Sequence, residues 1–341
     1  MVDVLWAILF VTIAIGALVA LLGGLYWLSS LLPKKWQESS RSWVFMLPAV
    51  FAMIIGLVVP ALRTIYLSLF DANSEKFVGL DNYSEVFTTA GTRLTVFNSL
   101  AWVFVGTIVT VIVGLSVARF ADGMRLESAA KSAIFIPGAI SLVGAGVIWG
   151  FVYAGPPFEV GLLNSITGSI PGLPANAGGD GDRLWLLERG YAGWEPPDTI
   201  PGFNTYLLIV IFIWASSGVA TVIFSAAIKG VPDSLIEAAR VDGATDRQTF
   251  FKVTLPYIRS TIVVVATTTT IAGLKAFDIV AATTGGRFGT STIANEFFVT
   301  RFVQGRNGLG SALAVIIFIL VIPVVVLNRY SQRRAEEMMG G

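Results

Sequence analysis

The chain has no cysteine and no histidine. Their absence removes thiol nucleophiles, disulfides, the usual zinc ligand sets and imidazole acid–base catalysis. A G-x-x-x-x-G-K-[ST] loop is also missing, so the sequence has no recognisable cradle for nucleotide phosphates. Charge is scarce: Asp, Glu, Lys and Arg make up 13% of 341 residues, against roughly 25% in soluble domains. The net charge of +1 gives no electrostatic footprint for nucleic acid.

What fills the chain is hydrocarbon, 55% of residues, with a mean hydropathy of +0.75. Uncharged runs occupy 4–33, 42–62, 94–118, 132–158, 199–228 and 307–328. A seventh, 260–286, is interrupted only by Lys275 and Asp278. Crossing ~30 Å of hydrocarbon takes about 20 apolar residues at ~1.5 Å each, and every run is long enough. The composition predicts an all-α, polytopic membrane protein of seven spans, bound to the lipid bilayer.

Orientation follows from Lys and Arg, which cytoplasmic loops keep in excess. Segments 34–41, 119–131, 229–259 and 329–341 hold 14 of them, against 7 in 71–93, 155–203 and 285–308. The first set is therefore assigned to the cytoplasm, with the N-terminus outside and the C-terminus inside. The first run has no basic leader and, at about 30 residues, far exceeds the 7–15 of a signal peptide's apolar core. It is expected to stay as a membrane helix. Small residues at four-residue spacing, Gly16, Ala20 and Gly24, and again Gly146 and Gly150, would let a second helix come close.

The segment from Gly155 to Gly202 is long, rich in Gly and Pro, and acidic: Glu159, Asp180, Asp182, Glu188, Glu195 and Asp198 stand against Arg183 and Arg189. Trp185 and Trp194 would suit the headgroup level. The loop reads either as a solvated connector or as a docking site for an external partner.

The polar stretch 229–259 breaks the pattern. Ser234 to Glu237, "SLIE", has capping-box spacing, and "TDRQ" from Thr245 to Gln248 has it again. Gly243 permits a left-handed helix stop between them. Phe250, Phe251 and Val253 give the second helix an apolar face, and Pro256 is expected to stop it and open the next span. The expected order is helix, glycine turn, helix, proline, membrane.

Within this stretch, "EAARVDGATDRQTFFKVTLP", 237–256, resembles the EAA loop of permease subunits in binding-protein-dependent ABC importers. "LKAFDIVAATTGG", 274–286, and "GLGSALAVIIFILVIP", 308–323, are similar to the following helices of carbohydrate permeases in that family. "GGRFGTSTIANEFF", 285–298, and "FVYAGPPFEVGLLN", 151–164, look closest to permeases for maltose and other α-glucosides, although Arg287 stands where the commonest pattern has a third glycine. The similarity covers about 43–330. It implies a six-helix permease core there, with residues 1–42 as an extra N-terminal transmembrane helix and linker and 331–341 as a cytoplasmic tail.

The resemblance implies a division of labour. The chain would bind no cofactor; ATP and magnesium would sit on two separate cytoplasmic ATPase subunits. A second related permease and an extracytoplasmic sugar-binding protein would complete an importer of the bacterial cytoplasmic membrane. Glu237, Ala238, Ala239, Arg240, Asp242 and Gly243 would form the ATPase-coupling helix. Glu237 either meets a charge on the ATPase or completes its own cap. The cargo would be maltose or a maltodextrin, trehalose or another α-glucoside; an amino acid or phosphate is the nearer alternative.

The substrate path is sought among polar and aromatic residues of the spans. Candidates are Asn98, Trp102, Trp149, Tyr153, Trp214, Ser216, Ser217 and the run Thr267–Thr270, since aromatic faces stack on pyranose rings and hydroxyls bond one another. Lys275 and Asp278, three apart, are expected on one helical face, either as a structural pair or as part of the path. They are also the only constellation on which an intramembrane enzyme could draw. A passive channel would need no cytoplasmic coupling helix.

Overall fold

The computed structural model describes residues 2–30, 34–155, 160–168, 184–190 and 195–339. Helices carry the fold; the β structure among the described residues is one isolated bridge, Phe70–Phe77. The chain divides into two compact units, 1–66 and 67–341. In the first, α1 (Val2–Ser30) packs on α2 (Lys34–Met53), with the Tyr26 and Phe45 rings 6.5 Å apart. A π-turn at Ile54–Val58 leads into α3 (Val59–Leu67). That wide turn ends two residues before Pro60, whose missing N–H and bulky ring prevent the ordinary ladder from continuing. No atom lies within 4 Å of a Cβ built at Gly16 or Gly24, so the small-residue stripe there meets no partner among the described residues.

The second unit begins with α4 (Asp81–Thr88) and α5 (Ala90–Ala101). A π-turn at Trp102–Gly106 joins α5 to α6 (Thr107–Ala121) as one span of 32 residues. Next come α7 (Glu127–Phe135), α8 (Leu142–Val152), α9 (Leu162–Gly168) and α10 (Phe203–Lys229). The polar hairpin holds α11 (Asp233–Val241), α12 (Asp246–Thr249) and α13 (Leu255–Tyr257), and feeds α14 (Arg259–Leu274). The short α15 (Asp278–Thr283) and α16 (Ile293–Phe298) precede α17 (Asn307–Met339).

Four helices, Phe45–Leu67, Ala90–Ala121, Phe203–Lys229 and Asn307–Arg333, are each long and apolar enough to cross a membrane. Two expected spans differ. The run 132–158 is not one helix: its two halves, 127–139 and 142–152, meet at 102°. Pro137 and Gly138 end the first half in a tight turn, and Ser141 caps the second by accepting the Gly144 amide at 3.1 Å. Hydropathy shows that a run can enter lipid; it does not show the bend, which the local turn chemistry imposes. The run 260–286 likewise stops at Leu274.

Packing inside the second unit rests on small residues and hydroxyls, as it must where lipid removes the usual hydrophobic drive. Helix α6 lies tightly along α10: a Cβ at Gly114 would come 2.7 Å from the Ala220 Cβ, so any side chain there forces the helices apart. Buried Ala118, Phe224 and Val265 continue that seam. The Thr107 and Thr270 hydroxyls meet at 3.1 Å, an interhelical bond worth about 0.6 kcal/mol in such settings. Gly146 packs against Ala282 and Thr283 on α15, while Gly150 faces open space.

Trp185 corrects an expectation. It is 5% exposed, with its indole N–H donated to Asn164 Oδ1 at 2.6 Å and its ring 6.2 Å from Phe203. Protein, not a headgroup region, surrounds it, because Asn164 supplies the partner its N–H would otherwise find in water. Trp194, Glu159, Asp180, Asp182 and Arg183 lie outside the described residues.

Candidate coupling hairpin and translocation path

Helix α11 starts two residues earlier than the sequence suggested. Pro232 is the N-cap and Asp233 the first helical residue; no side chain caps this end, so the expected box from Ser234 to Glu237 does not form. Proline's fixed φ already sets the helix entry, and Asp233 places a negative charge in the first turn where the macrodipole favours it. The other end is a complete Schellman motif. Gly243, at φ +80°, donates to the Arg240 carbonyl at 3.0 Å, and Ala244 donates to Ala239 at 2.9 Å. The second box forms as expected, with Thr245 and Gln248 exchanging side-chain-to-backbone bonds.

Every side chain of α11 is exposed or half-buried, and among the described residues the helix packs mainly on α12 and the Phe250–Thr254 π-turn of its own hairpin. Glu237, Ala238, Arg240, Asp242 and Gly243 are exposed and Ala239 half-buried; Val241 is 87% exposed. Arg240 reaches Asp246 across the turn at 3.7 Å, an exposed pair of little energetic weight. An unpacked, capped, nine-residue helix is thus held out on a stiff turn.

Pro256 does not stop the second helix. The π-turn at Phe250–Thr254 absorbs it, as the turn before Pro60 does, and the break falls at Ile258, where 246–257 and 259–274 meet at 67°. Phe250 lies under the Arg119 guanidinium at 5.6 Å and Phe251 under Arg247 at 5.9 Å. The first contact links the hairpin to the end of α6.

A charged lock that sequence reasoning missed sits beside this hairpin. Glu127 accepts from Lys131 and, at 2.5 Å, from Lys229; the backbone N–H of Gly123 adds a third donor at 3.1 Å. Lys131 also donates to Ser225. The last residue of α10 is thereby tied to the first of α7, four residues before α11 begins. The spacing of Glu127 and Lys131 is visible in sequence as an i, i+4 pair; the third member, 102 residues away, is not.

The structure sorts the path candidates into groups. Trp149, Tyr153 and Trp214 form one aromatic cluster across α8 and α10, with ring separations of 5.3 and 5.7 Å. Tyr153 is buried and bonds the Leu207 carbonyl at 3.2 Å. Trp102 is fully buried against Phe212, 5.6 Å away, with its indole N–H unpaired. Ser217 spends its hydroxyl on Ile213 of its own helix, and Thr268 and Thr269 do the same toward Val264 and Val265. Ser216 is half-buried on α10. Asn98 stands apart: it is fully buried and donates to the Gly289 and Ser291 carbonyls, both at 2.8 Å.

Lys275 and Asp278 are not on one helical face. Lys275 is the C-cap of α14 and Asp278 the first residue of α15; both are exposed and they form no ion pair with each other. The helix break between them removes the register that would have made three residues one turn.

Comparison with known proteins agrees with this architecture. Residues 184–337 match the family described as binding-protein-dependent transport system inner membrane component. An osmoprotective compounds uptake permease of Synechocystis is 42% identical over 84% of this chain and 96% of its own length. An alpha-glucoside transport system permease of Rhizobium meliloti is 40% identical over 89% and 85%. In fold, the chain superposes on a chain of a bacterial alginate ABC transporter, crystallised with a pentasaccharide-bound periplasmic protein, with a TM-score of 0.68 over 89% of this chain and 98% of that one, at 18% identity. The chain belongs to the family of binding-protein-dependent transport system inner membrane components, the permease subunits of ABC importers.

Proposed function

We propose that this chain moves a sugar, namely maltose or a maltodextrin, trehalose or another α-glucoside, from an external binding protein into the cytoplasm by ATP-driven alternating access. The observation that carries the reading is α11: a helix closed by a stiff glycine turn whose packing, among the described residues, is mainly on its own hairpin. Such a helix is a lever awaiting a partner. About 13 Å of helix, seated on a cytoplasmic ATPase, would transmit the approach of two ATPases to α10 and α14 on either side. ATP and magnesium stay on those two subunits, and a related permease completes the membrane pair. The basic hairpin then faces the cytoplasm, and the chain crosses the bacterial cytoplasmic membrane seven times, α1 included.

The sugar is supported by the Trp149–Tyr153–Trp214 cluster, which offers apolar ring faces and no charge. A phosphate path would call for cations there. The two relatives, named for osmoprotective compounds and alpha-glucosides, point the same way.

The test is uptake of labelled trehalose and maltose by vesicles holding the chain with a companion permease, ATPase and binding protein. Uptake should require ATP, and deleting 237–243 should abolish it while membrane insertion stays normal. Flux that survives the deletion would make the chain a passive channel. Uptake of an amino acid or phosphate in place of α-glucosides would reassign the cargo.

A further inference from the structure

Helix α14, about 24 Å long, separates the coupling hairpin from the opposite end of the bundle. At that far end, between α5, the 286–291 segment, α16 and the start of α17, lies a cavity of about 390 Å³. Its volume falls in the range of small-ligand pockets, about 300–1,000 Å³. None of Trp149, Tyr153 and Trp214 lines it, and its wall carries no aromatic ring among the described residues.

The wall is instead a set of donors and acceptors. At the mouth, Arg306 is paired with Glu85 at 2.8 Å, and the exposed Gln304 side-chain amide makes no hydrogen bond among the described residues. Deeper in, Glu296 accepts from Ser291 at 3.0 Å and Thr300 at 3.4 Å, but no cation neutralises it. At the floor Asn98 uses both amide hydrogens on backbone carbonyls, leaving its buried Oδ1 without a donor.

This inventory selects a ligand class. An anion would meet the unneutralised Glu296, and an apolar molecule would strand the polar wall. Hydroxyl groups fit, because each can donate to Glu296 and accept from Gln304 or Arg306. We infer that this cavity is a second, aromatic-free subsite that holds a neutral polyhydroxylated solute of mono- to disaccharide size before it reaches the aromatic cluster. The role in transit rests on the transport reading above; the binding itself does not.

The absence of native cysteine supplies a clean probe. A Gln304→Cys chain, assembled with its partners in lipid nanodiscs, carries one thiol at the cavity mouth of this subunit. Trehalose should slow its reaction with a maleimide. Glu296→Gln in the same background should raise the trehalose needed for protection about tenfold, the loss of one charge-assisted hydrogen bond. Glu296→Asp, which keeps the charge but retracts it, should fall between the two. Trp214→Ala should leave the protection intact. Labelling that trehalose never slows, in a complex that still imports it, overturns the subsite. Protection by glycine betaine but not trehalose overturns the polyol assignment. Protection without any ATP-driven uptake would instead refute the transport reading and leave the subsite standing.

Discussion

Lys229 and Glu127 meet at 2.5 Å although 102 residues separate them. The contact closes the end of α10 onto the start of α7 immediately before the chain turns into α11. On the proposed transport reading, a push on α11 would reach α10 and α7 together. Glu127→Gln leaves Lys131 and Lys229 facing each other without their shared anion. ATP hydrolysis by the assembled importer should persist while sugar uptake per ATP falls severalfold. The defect should be larger at low than at high ionic strength, because salt screens the exposed Lys229 against the half-buried Lys131. Coupled uptake and phosphate release, measured across a salt series, check this.

Gly243 holds φ at +80°, where a Cβ costs about 1 kcal/mol or more. Gly243→Ala should weaken the Schellman turn and speed amide exchange at Ala244 about fivefold. Exchange at Gln248, inside its own capping box, should change little. Hydrogen exchange read by mass spectrometry separates the two.

Trp214 and Ser217 lie one turn apart on α10 yet differ in what they can offer a sugar. The indole face stands in the aromatic cluster, whereas the Ser217 hydroxyl is engaged by the Ile213 carbonyl at 2.6 Å. Trp214→Ala should raise the sugar concentration for half-maximal ATPase stimulation up to about tenfold, the scale of a lost stacking contact. Ser217→Ala should leave it unchanged.

Asp71 makes a pH-dependent turn. The amides of Glu75, at 2.8 Å, and Lys76, at 3.3 Å, donate to its carboxylate and hold its pKa below the usual aspartate value. A lowered folded-state pKa means that the turn gains stability above the unfolded-state pKa and loses it as pH falls through the folded one. Amide exchange at Glu75 should therefore be protected at neutral pH and accelerate only under strongly acidic conditions. Asp71→Ala, which removes the acceptor, should abolish most of that protection at every pH, whereas Asp71→Asn, which keeps Oδ1, should retain part of it without the pH dependence.

Much of the fold was legible because lipid imposes one rule, long uncharged runs, and the runs fall where the helices are. The hairpin was legible for a different reason. Gly243 and the Thr245–Gln248 box are local chemistry, written within four residues of where they act. What the sequence hid was nonlocal or set by bends. The 102° turn at Pro137–Ser141 and the break at Lys275 interrupt runs whose composition does not change there, so Lys275 and Asp278 lost their shared face. Nothing in the neighbours of Asn98 announces that its amide hydrogens will go to the Gly289 and Ser291 carbonyls. Glu85, Glu296 and Arg306 carry no local signal, since charged residues between membrane spans are ordinarily solvated, and the short helices α4 and α16 that gather two of them are not marked by any apolar run.

If α11 seats on a separate nucleotide-hydrolysing subunit, that subunit lies within crosslinking distance of it. An Ala238→Cys chain has its single thiol on the exposed α11, and a short bifunctional crosslinker in assembled membranes reads what lies beside it. A product joining this chain to the ATPase subunit is expected, with a yield that changes when ATP is added. A thiol that is labelled only from outside the cell, or that never yields an ATPase adduct, would contradict it.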